Sequence, residues 1–285
     1  MPVRNPRTLI ILAALGLAAG PAVAAPKPAA GKAEKSSPAP KARIDLNAVR
    51  QALESGDEAK ALAALETVAQ SGEPGGAPPI EQLLGRGASS KLLLRAVETL
   101  GILAQPSSGA ALVPYAQHRN PELRRAALRA LIATKSPLAA EVLRRALHGN
   151  DPGQRAIAAR GLGELNVRAA VPELFSVLPK DVAEAAQSIG LLCVQAECEK
   201  FMDLLGRLRF EVMESGIVPI LSRPAADVPD PLKLKLIERL RRMATQPATQ
   251  LLQAALAKFP ADGSPRVKTG LERALKGYSA EEETK

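Results

Sequence analysis

Past residue 43 the chain repeats one pattern: apolar residues at helical spacing, opened by an Asn, Asp or Ser that precedes a Pro. Apolar positions three and four apart fill one face of a helix, and a capping side chain before Pro marks where that helix starts. The stretch from Asn120 to Leu147 realigns on Asp151 to Leu178 with a shift of 31 residues. Under that shift Pro121 meets Pro152, Arg124 meets Arg155, Ala127 meets Ala158, Arg129 meets Arg160, Leu131 meets Leu162 and Leu143 meets Leu174. One step back, Ala96, Leu100 and Leu112 hold the same places. A fourth unit follows after 27 residues, with Ala185, Ile189, Phe201 and Leu205 standing for Ala158, Leu162, Leu174 and Leu178. The shortening falls in the turn between units, where Asp181 with Glu184 is expected to cap the helix without a Pro.

Each unit reads as a helical hairpin. Asn120 or Asp151 offers a side-chain oxygen to the free amides of a first turn, and the following Pro lacks an N–H where none is needed. The first helix presents Leu123, Ala127, Ala130 and Leu131 on one face, and Lys135-Ser136-Pro137 makes a short turn. The second helix turns Ala139, Leu143 and Leu147 inward. One hairpin cannot cover its own apolar face, so the hairpins are expected to stack into an all-α solenoid.

At these residues the chain resembles the HEAT-repeat family, in the short form also found in phycobilisome lyases. The resemblance rests on Asx-Pro-x-x-Arg-x-x-Ala followed by Leu, met by Asn120, Pro121, Arg124, Ala127 and Leu131 and again by Asp151, Pro152, Arg155, Ala158 and Leu162. The family implies an α-solenoid that binds other proteins, with Arg124 and Arg155 bonding caps or acids inside the stack. It also allows a lyase-like enzyme or chaperone. The Trp and Gly-Tyr positions of tetratricopeptide repeats and the Thr-Pro-Leu-His of ankyrin repeats are absent from the sequence.

The flanks are less regular. Asp45 to Glu54 and Asp57 to Gln70 form a hairpin joined at Gly56, read as a cap. Glu73 to Pro79 reads as a loop leading to a short helix at Ile80 to Leu84. Beyond Phe210, Pro219 and Pro224 interrupt the pattern. Asp230-Pro231 opens a helix with Leu232, Leu236, Ile237 and Leu240 inward, Gln246-Pro247 opens its partner and Ser264-Pro265 the last. The expected organisation is capping helices over 44–87, repeats over 88–207, divergent helical repeats over 208–278 and an acidic tail over 279–285.

Two segments precede the body. Arg4 and Arg7, the apolar run Leu9 to Ala19 and the small residues Ala22-Val23-Ala24 read as a secretory signal over 1–24, cleaved near Ala24. Residues 25–43 mix Pro, Ala, Lys and Ser and read as a spacer able to touch an anionic surface weakly. The expected address is the periplasm of a bacterium or its exterior.

Charge changes the picture less than it first suggests. The chain carries 38 Lys and Arg against 29 Asp and Glu, but residues from 44 onward hold 31 against 28. Most of the basic excess therefore belongs to the first 43 residues. Within the body, 119–168 holds ten basic residues against four acidic ones. Arg129 and Arg160 are expected on the outer face of the first helices. Arg144 and Arg145, with Glu141 and His148 nearby, are the candidate contacts for a protein partner on the second-helix layer, which lines the concave side in HEAT solenoids. A solvated helix face is the plainer alternative.

Four Phe and two Tyr are the only aromatic residues and there is no Trp, which argues against base stacking and specific nucleic-acid binding. Cys193 and Cys198 straddle a turn; they could close a disulfide, lie buried as small apolar residues, or form a redox pair. His118 and His148 near the ends of second helices suit local dipoles better than a metal. Gly161-Leu162-Gly163 fits close helix packing. No phosphate-loop, nucleophile-elbow or zinc-protease motif is present in the sequence, so no cofactor and no catalytic residue is expected.

Overall fold

The structure, a computed structural model, describes the backbone of residues 44–282 and the side chains of residues 44–276. The expected signal over 1–24, the spacer over 25–43 and the last residues of the expected tail lie outside these residues.

Three helices open the body: α1 (Leu46–Glu54), α2 (Glu58–Ser71) and α3 (Ala77–Arg86). The carboxylates of Asp45 and Asp57 accept first-turn amides of α1 and α2, as capping residues do. Helix α3 is longer than its pattern suggested. Pro78 and Pro79 sit in its first turn rather than in a loop, because an amide there has no helical acceptor to lose.

Paired helices follow. They are α4 (Ser90–Leu103) with α5 (Gly109–Leu112), which runs on as a 3-10 turn, α6 (Pro121–Thr134) with α7 (Ala139–Leu147), α8 (Pro152–Glu164) with α9 (Val171–Val177), and α10 (Ala183–Leu192) with α11 (Gln195–Asp203). Next come α12 (Phe210–Ser222) with α13 (Asp230–Met243) and α14 (Gln246–Ala257) with α15 (Pro265–Glu282), the last extending into the segment read as a tail. First helices pack on first helices, α4 on α6, α6 on α8, α8 on α10 and α10 on α12, giving an α-solenoid.

The register read from the sequence is the register of the core. Ala96, Leu100 and Leu112, then Ala127, Leu131 and Leu143, then Ala158, Leu162 and Leu174, then Ala185, Ile189 and Phe201 are all without solvent exposure. Small residues set the spacing of the first-helix layer. A Cβ on Gly161 would lie 2.4 Å from Ile132, and one on Gly190 would lie 2.2 Å from the carbonyl oxygen of Gly216 on α12. At the second of these crossings backbone meets backbone.

Two expectations at helix ends need correction. Asp181 does not cap α10: it sits in the left-handed region at φ 58°, ending a 3-10 turn over Leu178–Lys180, and α10 follows Val182 with no side-chain cap. The shortened turn reverses the chain through Asp181, one of the few L-residues that tolerates this conformation. Its carboxylate instead accepts from Arg209 at 3.3 Å. Pro219 does not interrupt α12 but lies inside it. Val212, Met213, Gly216, Ile217, Ile220 and Leu221 bury that helix, and their packing outweighs the lost N–H.

Three successive first helices, α4, α6 and α8, end alike. Ala104, Lys135 and Asn166 stand one repeat apart and have φ of 51°, 50° and 54°. This left-handed turn, usually given to Gly, points the chain into the second helix.

Candidate functional site

On α7 the sequence places Glu141, Arg144, Arg145 and His148 within two turns, three and four apart, while Val142, Leu143, Ala146 and Leu147 are buried on the other side. The structure brings the four outward residues together and adds a fifth. Arg145 donates through Nε to Glu141 at 3.0 Å. Arg144 turns to the next repeat, where its Nε donates to Glu173 at 2.8 Å and its Nη2 donates to the same oxygen. His148 Nε2 lies 3.7 Å from the other Glu173 oxygen. The hydrogen bond to Glu173, and then its charge, hold the Arg144 guanidinium above its ordinary pKa. Arg144 is thus largely committed within the stack. Arg145 and His148, with side chains 61% and 51% exposed, remain available to a partner.

Glu173 was not picked out from the sequence. It stands in the first turn of α9, 29 residues after Arg144. A search for acid partners about one repeat away from each Arg would have found it. The same spacing recurs along the stack: Arg95 meets Glu66, and Arg168 meets Glu197 at 3.1 Å. Arg125 grips Asp151 through two bonds of 2.8 and 3.0 Å. The bonds from Arg125, with help from two first-turn amides of α8, keep the Asp151 carboxyl below its ordinary value.

Arg124 and Arg155 make one bond twice. Each donates through Nη1 at 2.9 Å to the carbonyl six residues earlier, on His118 and on Gly149. They tie the turn between repeats to the helix that follows it. Arg129 and Arg160 are exposed, and Arg160 reaches Glu184 at 3.4 Å. Of the ten basic residues in 119–168, Arg119, Arg129, Lys135 and Arg155 make no ion pair among the described residues. The central basic segment is therefore mostly neutralised internally, which lowers its pull on a polyanion.

Cys193 and Cys198 form a disulfide between the end of α10 and the start of α11, and neither is exposed. Cys193 stands where Asn166 stands one repeat earlier, yet its backbone is extended at φ −62°. Here a covalent bond shapes the turn. Neighbouring turns grip it: Arg168 donates to the Leu192 carbonyl at 3.3 Å and Arg223 donates to the Cys193 carbonyl. The buried Lys233 donates in turn to the Arg223 carbonyl, and burial holds its ammonium below the usual lysine pKa.

His118 is occupied locally. Its Nδ1 accepts the Asn120 amide at 3.1 Å and its ring lies 6.1 Å from that of Tyr115. Gly163 packs on Ser188, where an added Cβ would stand 2.3 Å from the hydroxyl, so the Gly161-Leu162-Gly163 stretch serves helix contact. Among the described residues no three His, Cys, Asp or Glu side chains gather as metal ligands would, and no helix is long and apolar enough to cross a membrane.

A family model described as HEAT repeats matches residues 77–154. No curated protein matches the chain. Among solved structures, the complex of CpcE and CpcF of phycocyanin lyase from a Nostoc species is similar with a TM-score of 0.48 and 14% identity, over 87% of this chain and 99% of that one. A designed armadillo repeat protein gives 0.42 and 16%, over 82% of this chain and 100% of its own. Human deoxyhypusine hydroxylase gives 0.38 and 21%, over 82% and 96%.

Proposed function

We propose that this α-solenoid, whose residues 77–154 match the HEAT-repeat model, is a stack of HEAT-like repeats acting as a non-catalytic scaffold that binds another protein through its stacked-helix surface, on the far side of an export step. The observation that carries the reading is the way side chains of successive repeats are bonded to one another at a spacing of about one repeat. Such bonds hold a row of helices as one continuous face, and a rigid face lowers the ordering cost of binding a partner. On that face Glu141, Arg145 and His148 are the contacts, with Arg144 and Glu173 holding α7 and α9 together beneath them. Export to the periplasm or beyond rests on the first 24 residues and accords with a disulfide, a bond that persists in oxidising compartments.

The test keeps Arg144 intact. Proteins captured from envelope extracts by the wild-type chain are compared with those captured by Arg145→Glu combined with His148→Ala. Loss of a defined partner is expected; an identical set would refute this face. The mass of the mature chain tests the export step, which requires a start near Ala25. Bilin transfer by the purified protein would overturn the non-catalytic reading.

A further inference from the structure

Between α12 and α14 the first-helix layer opens. Helix α14 meets α12 over much less of its length than α10 does, and a groove of about 570 Å³ remains between them. Its apolar wall is Val218, Pro219, Leu251 and Ala254. Its polar residues share a register. Gln187, Glu214 and Gln250 are each the fifth residue of α10, α12 and α14, and all three line the groove. Lys258, the residue that caps the C-terminal end of α14, lines it as well.

These side chains take no part in the links between successive repeats. Glu66, Asp151, Glu173, Glu184 and Glu197 each face an Arg. Glu214 and Lys258 have no ion pair, and the amides of Gln187 and Gln250 have no hydrogen bond, among the described residues. A second feature points the same way. Pro219 has no N–H to give the Ser215 carbonyl, and both residues line the groove. The wall therefore holds a backbone acceptor deprived of its helical donor.

We propose that this groove takes a short extended polypeptide segment carrying one basic and one acidic side chain. This names the partner class for the scaffold reading and rests on it. The basic side chain meets Glu214, the acidic one meets Lys258, and a main-chain N–H between them meets the Ser215 carbonyl. Gln187 and Gln250 can each offer one donor and one acceptor to the peptide groups. The spacing is fixed by the helices. Along α14, Lys258 lies eight residues beyond Gln250, the residue in register with Glu214, an axial offset of roughly 12 Å at 1.5 Å per residue. An extended chain covers that distance in about four residues.

The test uses the purified full chain and four capped hexapeptides in a Thr/Val background, with Lys and Glu, two Lys, two Glu or two Gln placed four apart, so that both side chains leave the same face of an extended chain. Fluorescence anisotropy should show the Lys/Glu peptide binding about threefold or more tighter than either like-charged peptide, the size expected of one partly exposed ion pair. Glu214→Lys, a half-buried position at the groove's edge that leaves the core untouched, should shift the preference to the peptide with two Glu. Methylating the central peptide nitrogen should weaken binding by removing the donor. If no peptide binds, or if Glu214→Lys leaves the order of the four unchanged, the groove proposal fails. Should partner capture that depends on Arg145 persist in that case, the scaffold reading stands without it. Concentration-dependent sedimentation abolished by Glu214→Lys would instead mean that a second copy fills the groove, and would equally overturn the peptide proposal.

Discussion

Replacing Gly190 by Ala separates two opposing effects that usually cancel. In an open helical position the change stabilises, because Ala loses less conformational freedom on folding, by about 0.5–1 kcal/mol. Gly85 is such a position: it is exposed within α3, and an added Cβ would meet nothing within 4 Å. Gly190 is not. The new Cβ would stand 2.2 Å from the Gly216 carbonyl oxygen and 3.0 Å from its Cα, where ordinary contact begins near 3.4 Å. Both obstacles are main chain, so no rotamer can move aside, and α10 and α12 must part by roughly 1 Å at their crossing. A gap of that size forfeits a quarter to a half of each dispersion contact across it. Ala186, Ile189, Phe201, Ile217 and their neighbours, all without exposure, lose packing together. Overpacking of this kind costs about 1–3 kcal/mol, and a backbone obstacle puts Gly190 at the upper end. After the helix-propensity gain, the net loss is about 2 kcal/mol, or a melting point lower by roughly 4–8 °C for a body of this size. Urea and thermal unfolding followed by far-ultraviolet circular dichroism would read both variants. Gly85→Ala should rise and Gly190→Ala should fall; two changes of the same sign would mean that the two helices do not meet through their backbones.

Three further outcomes are expected. Ala104→Gly and Ala244→Gly should each stabilise by about 1 kcal/mol in chemical denaturation, because both residues hold positive φ with a Cβ that disfavours it; no change would remove the left-handed turns. Reducing the Cys193–Cys198 bond, which closes a loop at a sequence separation of 5, should cost about 2 kcal/mol in urea unfolding, and amide exchange should rise first in the α10–α11 turn. Asp151 has its carboxyl held below the ordinary 3.8 in the folded chain, first by Arg125, so its contribution is present above pH 4 and is lost as pH falls through the lower folded value. The acid side of a stability-versus-pH curve should therefore be shallower in Arg125→Ala than in the wild type, and equal slopes would show that the pair does not form.

The stacking register was legible because burial demands it. Ala127 and Ala158 must be small where helices cross, and Leu131 and Leu162 must fill the space beside them, so the period survives wherever the core does. Helix starts were legible where Asp45, Asp57, Asn120 and Asp151 announce them with a side-chain oxygen. Helix ends were not. Ala104 and Lys135 adopt a conformation that local sequence favours only for Gly, and tertiary packing imposes it. Pro219 broke the pattern on paper but not in space, since the buried faces of α12 outweigh one missing hydrogen bond. At the candidate surface, the charges of α7 could be placed by helical spacing, whereas Glu173 belongs to another repeat and is joined to Arg144 only by the stacking. Gln187, Glu214 and Gln250 share a position that is obvious once α14 is aligned on α12, but the 36-residue step between the last two hides it from a search at the period of 31.

The bonds that cross from turn to turn have a further consequence for how this chain comes into being. Arg95, Arg125, Arg144, Arg168 and Arg223 each find a partner 26 to 30 residues away, and Ser188 and Tyr115 reach back 29 and 31. No such link waits for a distant part of the polypeptide. As the chain emerges N-terminus first, every new hairpin already has beside it the surface it will lock onto, so the stack can grow one storey at a time and the last helices need only the storey beneath them.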